Sequence, residues 1–312
     1  MDVDEFLPLV LPAVMACAAR PLSGRLPPRT ATWLLTVTGT LLALASTATL
    51  AVFALGGALR LPLIARLGHL SGHVLRDGAQ PVPAVAAVAA LALFTSLGSA
   101  GYAMATQARA LLDGARTARG LPGEGELAVV ADDAADAFAL PGRPGRIVVS
   151  TGMLAVLDPA ERDVLLAHER AHLAGRHHLF RTAAHLAAAV NPLLWPLRGA
   201  VVYATERWAD ESAAARTGRE RAARAIGKAA LARSHRPGPS GASALGIGSA
   251  LARRGGRRPG PLPRRVAALL APPPPRRVLL VAATLALAAL SVLAANDGAF
   301  DLHQLIEHAQ AG

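Results

Sequence analysis

The residues best suited to chemistry stand together at positions 168–172, which read His-Glu-Arg-Ala-His. On a helix, side chains four positions apart differ by about 40° in direction and about 6 Å in rise, so both rings can reach one ion. Zinc takes imidazole nitrogens at about 2.0–2.1 Å and needs their lone pairs to converge on one point. Glu169, next to the first histidine, points off to the side, where it can take a proton from water at the metal. The spacing points to metal-assisted hydrolysis, with His168 and His172 holding one zinc ion and Glu169 as base. The plain alternative is a surface helix whose polar residues fall in register by chance.

A third ligand has two candidates. His168-Glu169-x-x-His172-x-x-Gly175-x-x-His178 fits the metzincin string, in which the glycine turns the chain and His178 binds. That site also needs a methionine turn downstream, and the methionines are Met1, Met15, Met104 and Met153. The other candidate is Glu206, which from a second helix would complete a His₂Glu set. Asp210 lies one turn further on the same face, placed to accept the free ring N–H of a ligand histidine. With Glu206 as ligand, His177 and His178 become neighbours of the site or surface residues.

These side chains need elements to hold them. Asp158-Pro159-Ala160-Glu161 carries a capping residue, proline at the first helical position and a glutamate that can close a capping box. Val164, Leu165 and Leu166 give the apolar body of the helix that bears the motif. Upstream, Leu127 to Ala131 and Ile147 to Ser150 are short apolar runs that read as strands of a small sheet. An extended substrate could add beside the second of them. Downstream, Thr182 to Leu197 is apolar but broken by Asn191-Pro192 and Trp195-Pro196, and proline bends a helix. A membrane-dipping segment over about 182–203 is expected.

The composition sets the wider frame. Hydrophobic residues make up 53 % of the 312 and charged ones 17 %, against about 25 % charged in soluble domains. Ala31 to Leu59, Val82 to Ala108 and Val278 to Ala295 carry no charge, and Phe6 to Ala19 is a shorter apolar run. A ~30 Å hydrocarbon core needs about 20 helical residues, so spans are expected at 6–19, 31–59, 82–108 and 278–295. Residues 1–108 then form an N-terminal membrane region, 109–235 a metal-binding domain, 236–277 a Pro/Arg-rich linker and 296–312 a short tail.

The net charge is +11, and 26 Lys/Arg face 14 Asp/Glu between Gln107 and Arg277. Few aromatics and no nucleic-acid motif accompany this excess, so headgroups of the lipid bilayer are the expected partner and nucleic acid is not. Arg20, Arg25 and Arg29 crowd the first connection while the tail after Ala295 is acidic, which places the large basic region in the cytoplasm. Cysteine ligation is excluded, because Cys17 is the sole cysteine and sits in an apolar run.

Ala137-Phe138-Ala139-Leu140-Pro141-Gly142, Arg146 to Leu154, His168 to His172, Asn191-Pro192-Leu193-Leu194-Trp195 and Glu206-x-x-x-Asp210 together resemble membrane gluzincins of the BlaR/MecR type. HtpX-like and CAAX prenyl proteases are more distant relatives of that group. The resemblance covers roughly Ala137 to Arg216. It implies zinc, Glu206 as a ligand and a site facing the cytoplasm at a bacterial plasma membrane. It does not extend to a β-lactam sensor, since 17 residues follow Ala295, too few to fold alone.

The expected fold is mainly α: multi-pass membrane helices with an inserted gluzincin-type metallopeptidase domain carrying a small β-sheet. The expected activity is hydrolysis of a protein or peptide substrate, in regulated proteolysis of a repressor or in membrane protein quality control. A metal-binding regulator without hydrolysis, or a metzincin-like site using His178, are the alternatives.

Overall fold

The computed structural model describes residues 3–67, 82–121, 125–142, 144–234 and 261–311. Two long helices open the chain, α1 (Leu7–Arg25) and α2 (Pro28–Leu59), followed by the short α3 (Pro62–Leu67) and by α4 (Pro83–Gly120). Proline is the first residue of α2 and α4 and the second of α1, where its missing N–H costs nothing. The last helix is α11 (Val278–Ala311). Four segments are long and apolar enough to cross a membrane: Asp4–Arg25, Pro28–Leu59, Pro83–Gly120 and Val278–Ala311. The expected spans 6–19, 31–59 and 278–295 lie within three of these, and 82–108 overlaps Pro83–Gly120.

Small residues let these helices approach. A side chain at Gly57 would run into Ala86, and one at Gly39 into Leu197. Where lipid is as apolar as leucine, close packing of this kind holds helices together.

The sheet has β1 (Leu127–Val130), β2 (Ala137–Leu140) and β3 (Arg146–Ser150) in the order β1-β3-β2. β1 runs parallel to β3, with Leu127 opposite Ile147, and β2 antiparallel, with Ala137 opposite Val149. β3 is buried along its full length. Both of its edges are taken, so an extended substrate cannot add beside Ile147–Ser150. Among the described residues the outer edges belong to β1 and β2, and β2 packs against the helix that bears the histidine pair.

After the short α5 (Thr151–Val156) come α6 (Pro159–Ala174) and α7 (His177–Val190). A single 3-10 turn (Pro192–Leu194) then leads into α8 (Trp195–Thr217). The apolar stretch is thus a helical hairpin bent at Asn191, whose side chain caps the turn by accepting from Leu193 N at 3.0 Å. Its inner face joins one apolar cluster with the first two spans: Phe180, Ala184, Leu194, Leu197 and Val201 pack with Met15, Leu22, Leu35 and Leu42.

α9 (Arg219–Ser234) and α10 (Pro261–Leu270) close the other side. Residues 236–260 of the expected linker lie outside the described residues. Its next part differs from the expectation: Pro261–Leu270 is a docked helix, with Leu269 buried against Val164, Ala167 and Ala213. Among its prolines only Pro261 and Pro263 fall in the helix, both in the first turn, where proline is tolerated.

Candidate metal centre

α6 starts as its sequence demands. Asp158 Oδ1 accepts from Glu161 N at 2.8 Å, and Asp158 N donates to Glu161 Oε2 at 3.0 Å. This reciprocal cap fixes the helix start, so that His168, Glu169 and His172 fall on its buried side. Lys228 first (Nζ to Oε2, 2.6 Å) and then the Asp158 N–H of the cap lower the Glu161 pKa from its ordinary value.

α8 supplies the carboxylates. His168 Nε2 and His172 Nε2 lie 3.1 Å apart, with Glu206 Oε2 3.8 Å from the first and Oε1 3.5 Å from the second. Ligand atoms at the corners of a tetrahedron with zinc bonds of 2.0–2.1 Å would stand about 3.3–3.4 Å apart. Two imidazole nitrogens and a carboxylate oxygen at this spacing fit one zinc ion. His168, His172 and Glu206 form the one such group among the described residues, and His178 is not part of it.

The ring edges facing away from that point also have neighbours. His168 Nδ1 is 3.0 Å from Asp210 Oδ1, a contact short of full hydrogen-bond alignment. His172 Nδ1 is 2.8 Å from His177 Nδ1. His177 is buried and stacks near Trp208, with ring centroids 4.7 Å apart. Burial and nearby Arg181 bring its pKa down to about 4, so it is neutral at physiological pH and able to donate or accept.

Gly175 has a role unlike the one its metzincin spacing suggests. A Cβ there would collide with the His177 ring and with Ala171 O. The glycine therefore lets the histidine at 177, not the one at 178, lie against the metal-motif helix. His178 is half-buried beyond it.

Electrostatics draws in cations that no motif announces. Arg181 Nη2 donates to Glu206 Oε1 at 2.6 Å, and Arg265 Nη1 lies 2.6 Å from Glu206 Oε2. Against the upward push of burial, Arg265 and then Arg181 hold Glu206 well below the usual carboxylate range. Glu169 is 4 % exposed, and burial pushes its carboxyl up, with Arg233 Nη2 3.7 Å from Oε1. Arg207 and Tyr203, near in sequence to Glu206, are engaged elsewhere. Arg207 donates to Ser23 O at 2.9 Å and Leu26 O at 3.2 Å, capping α1, and Tyr203 lies under Arg264 at 4.3 Å.

The model of peptidase family M48 matches residues 105–271, more than half the chain. The chain belongs to peptidase family M48. That match takes in β1 to α10 and with them His168, Glu169, His172, Glu206, Asp210 and Arg265. Peptidases of this family are zinc-dependent, which agrees with the donor set. The match is to the family as such and not to its BlaR/MecR-like relatives in particular. No curated protein and no solved structure matches the chain. The M48 chain is thus a membrane metallopeptidase by family and fold.

Proposed function

We propose that the chain is a zinc-dependent endopeptidase that cuts protein substrates at the cytoplasmic edge of a bacterial plasma membrane. The observation that carries this is the meeting of His168, His172 and Glu206 beside buried Glu169. Zinc at this site would supply Lewis acidity toward water and the scissile carbonyl. His168 and His172 would bind it through Nε2, their Nδ1 edges braced by Asp210 and His177. Glu206 gives the third ligand.

Glu169 is the base. It accepts a proton from the attacking water and passes it to the leaving amine nitrogen. Arg233 faces Glu169 while donating to Ala137 O at 3.1 Å on the outer strand β2. An extended substrate running along β2 would therefore pass close to the base.

Contacts along α2 support the placement. Phe180 meets Trp33 edge to face at 4.8 Å, and Asn191 Nδ2 donates to Ser46 Oγ at 3.0 Å. From Trp33 to Ser46 is about 20 Å of helix at 1.5 Å per residue. Ser99, within the third span, donates to Ala189 O at the same tip of the hairpin. The hairpin thus runs beside the uncharged part of α2 and dips into the bilayer. Its base, with the metal residues, lies near Arg29, whose guanidinium is 5.6 Å from the Trp208 ring, on the side where the positive-inside rule puts the cytoplasm. Exposed Leu193 and Trp195 at its tip would meet lipid.

The placement favours substrates that are membrane-bound or held near the membrane. The BlaR/MecR-type resemblance favours regulated cleavage of a repressor, and protein quality control would use the same geometry. Glu169→Gln in cells tests the reading. One or more proteins should accumulate uncut in the variant and be cleaved in the parent. Identical protein turnover in both strains would favour a regulator without hydrolysis.

A further inference from the structure

Arg265 stands in none of the sequence patterns that announce the metal residues, yet it touches two of the carboxylates around them. Its Nε donates to Asp210 Oδ2 at 2.7 Å and its Nη2 to Asp210 Oδ1 at 2.6 Å, while Nη1 reaches Glu206 Oε2 at 2.6 Å. The side chain is 14 % exposed and that of Asp210 1 %. Glu206 and Asp210 lie one turn apart on α8, so a single planar guanidinium spans both.

We infer that Arg265 is a positioning residue for the metal site, fixing Glu206 as a ligand directly and His168 through Asp210. The inference rests on the proposed role of His168, His172 and Glu206 as metal ligands. Asp210 Oδ1 is shared between Arg265 Nη2 and His168 Nδ1. The guanidinium thereby sets the carboxylate that faces the imidazole. It uses the fork geometry that distinguishes arginine from lysine, two parallel donors on one carboxylate and a third nitrogen free for the next.

Two effects oppose each other here. A cation near the site repels a metal ion, which would weaken binding. Against that, Glu206, Asp210 and Glu169 are acids gathered in a buried space, and Arg265 grips both oxygens of the Asp210 carboxylate and so fixes its orientation. Arg265 is already neutralised by the two carboxylates it touches, so its net repulsion is small. Loss of an outer partner of this kind typically costs about 10–100-fold in metal affinity. Positioning wins.

The helix that carries Arg265 does not depend on it for docking. Arg219 Nε donates to Leu269 O at 2.6 Å and its Nη2 to Ala271 O at 3.2 Å, and Leu269 is buried. Removing the guanidinium should leave α10 seated.

The test uses the full-length protein in detergent micelles, parent against Arg265→Ala and Arg265→Lys. Zinc affinity is measured by competition with a chromophoric chelator, and ligand geometry by the visible spectrum of the cobalt form. The expected result is zinc binding weaker by about 10–100-fold in Arg265→Ala, with an altered cobalt spectrum. Arg265→Lys, which keeps the charge and loses the fork, should be weakened as well. Parent-like affinity and spectrum in Arg265→Ala, with only a lower melting temperature, would overturn the inference and leave a structural arginine. So would full recovery in Arg265→Lys, or tighter zinc binding in Arg265→Ala. A parent protein that takes up no metal would instead overturn the metal site itself, and the inference with it.

Discussion

Two polar networks lie apart along the length of α2. Beside the middle of α2, Asn191 Nδ2 donates to Ser46 Oγ at 3.0 Å, and Ser46 Oγ donates in turn to Pro8 O at 2.7 Å. No member is charged. Hydroxyls elsewhere in the spans do the same in miniature, Thr40 and Thr47 turning back to the carbonyls of Thr36 and Ala43 at 2.9 Å. About 20 Å away along α2, the second network joins Arg181, Arg265, Glu206, Asp210 and His168, with charged groups outnumbering neutral ones.

The difference is one of solvation. An amide or hydroxyl with one partner is tolerated among apolar helices, whereas an unpaired charge there costs several times more. In the second network arginines answer carboxylates, where a divalent ion would need the charge, while Arg198 near the hairpin tip rests on the Trp195 ring at 4.3 Å.

Moving a charge across that division should have the largest effect on stability. Ser46→Asp places a carboxylate beside Asn191 and Pro8 O, with no cation at hand. It should cost about 3 kcal/mol, comparable to an acid at the centre of a membrane helix. The melting temperature in detergent checks this, and an unchanged value would mean that water reaches Ser46.

Ser46→Ala should cost less, about 0.5–1.5 kcal/mol, because it removes a neutral bond and leaves the Asn191 amide to find another acceptor. Zinc affinity should be unchanged in that variant if the two networks are separate.

The smallest effect belongs to Glu161, at the exposed start of α6. Glu161→Gln should cost about 0.5 kcal/mol, the scale of an exposed pair and a partly lost cap. Because its folded pKa is depressed, the contribution is present above the unfolded value of about 4.3 and disappears as pH falls through the folded one. The difference between parent and variant, followed by melting from pH 6 to pH 3, should shrink toward the acid end. A difference that grows there would contradict the capping-box assignment.

Local features were the readable ones. The start of the motif helix needs only Asp158, Pro159 and Glu161 in order, and the bringing together of two histidines needs only their spacing of four. The spans expected at 31–59, 82–108 and 278–295 were readable because a helix across lipid is the simplest use of 18 or more residues without charge. β2 was not, because Ala137-Phe138-Ala139-Leu140 has little strand preference and takes its form from pairing with β3. β3 itself looks like an edge strand until its two neighbours are in place.

Arg181 and Arg265 were hidden for a different reason. Each acts across a long sequence separation, and arginine is so common in this chain that no single one stands out. Arg265 also sits in a Pro/Arg-rich stretch that reads as linker. Gly175 fits a spacing that would recruit His178, while the backbone it allows brings in His177. Its collision partners could not be known without the fold.

The account turns on one ion held by two histidines of α6 and one glutamate of α8. Metal content of the purified protein, measured by mass spectrometry after zinc loading and removal of excess, tests this most directly. The prediction is one zinc per chain in the parent, close to none in His172→Ala and Glu206→Ala, and one in His178→Ala. A parent without zinc, or zinc lost only when His178 is removed, would contradict it.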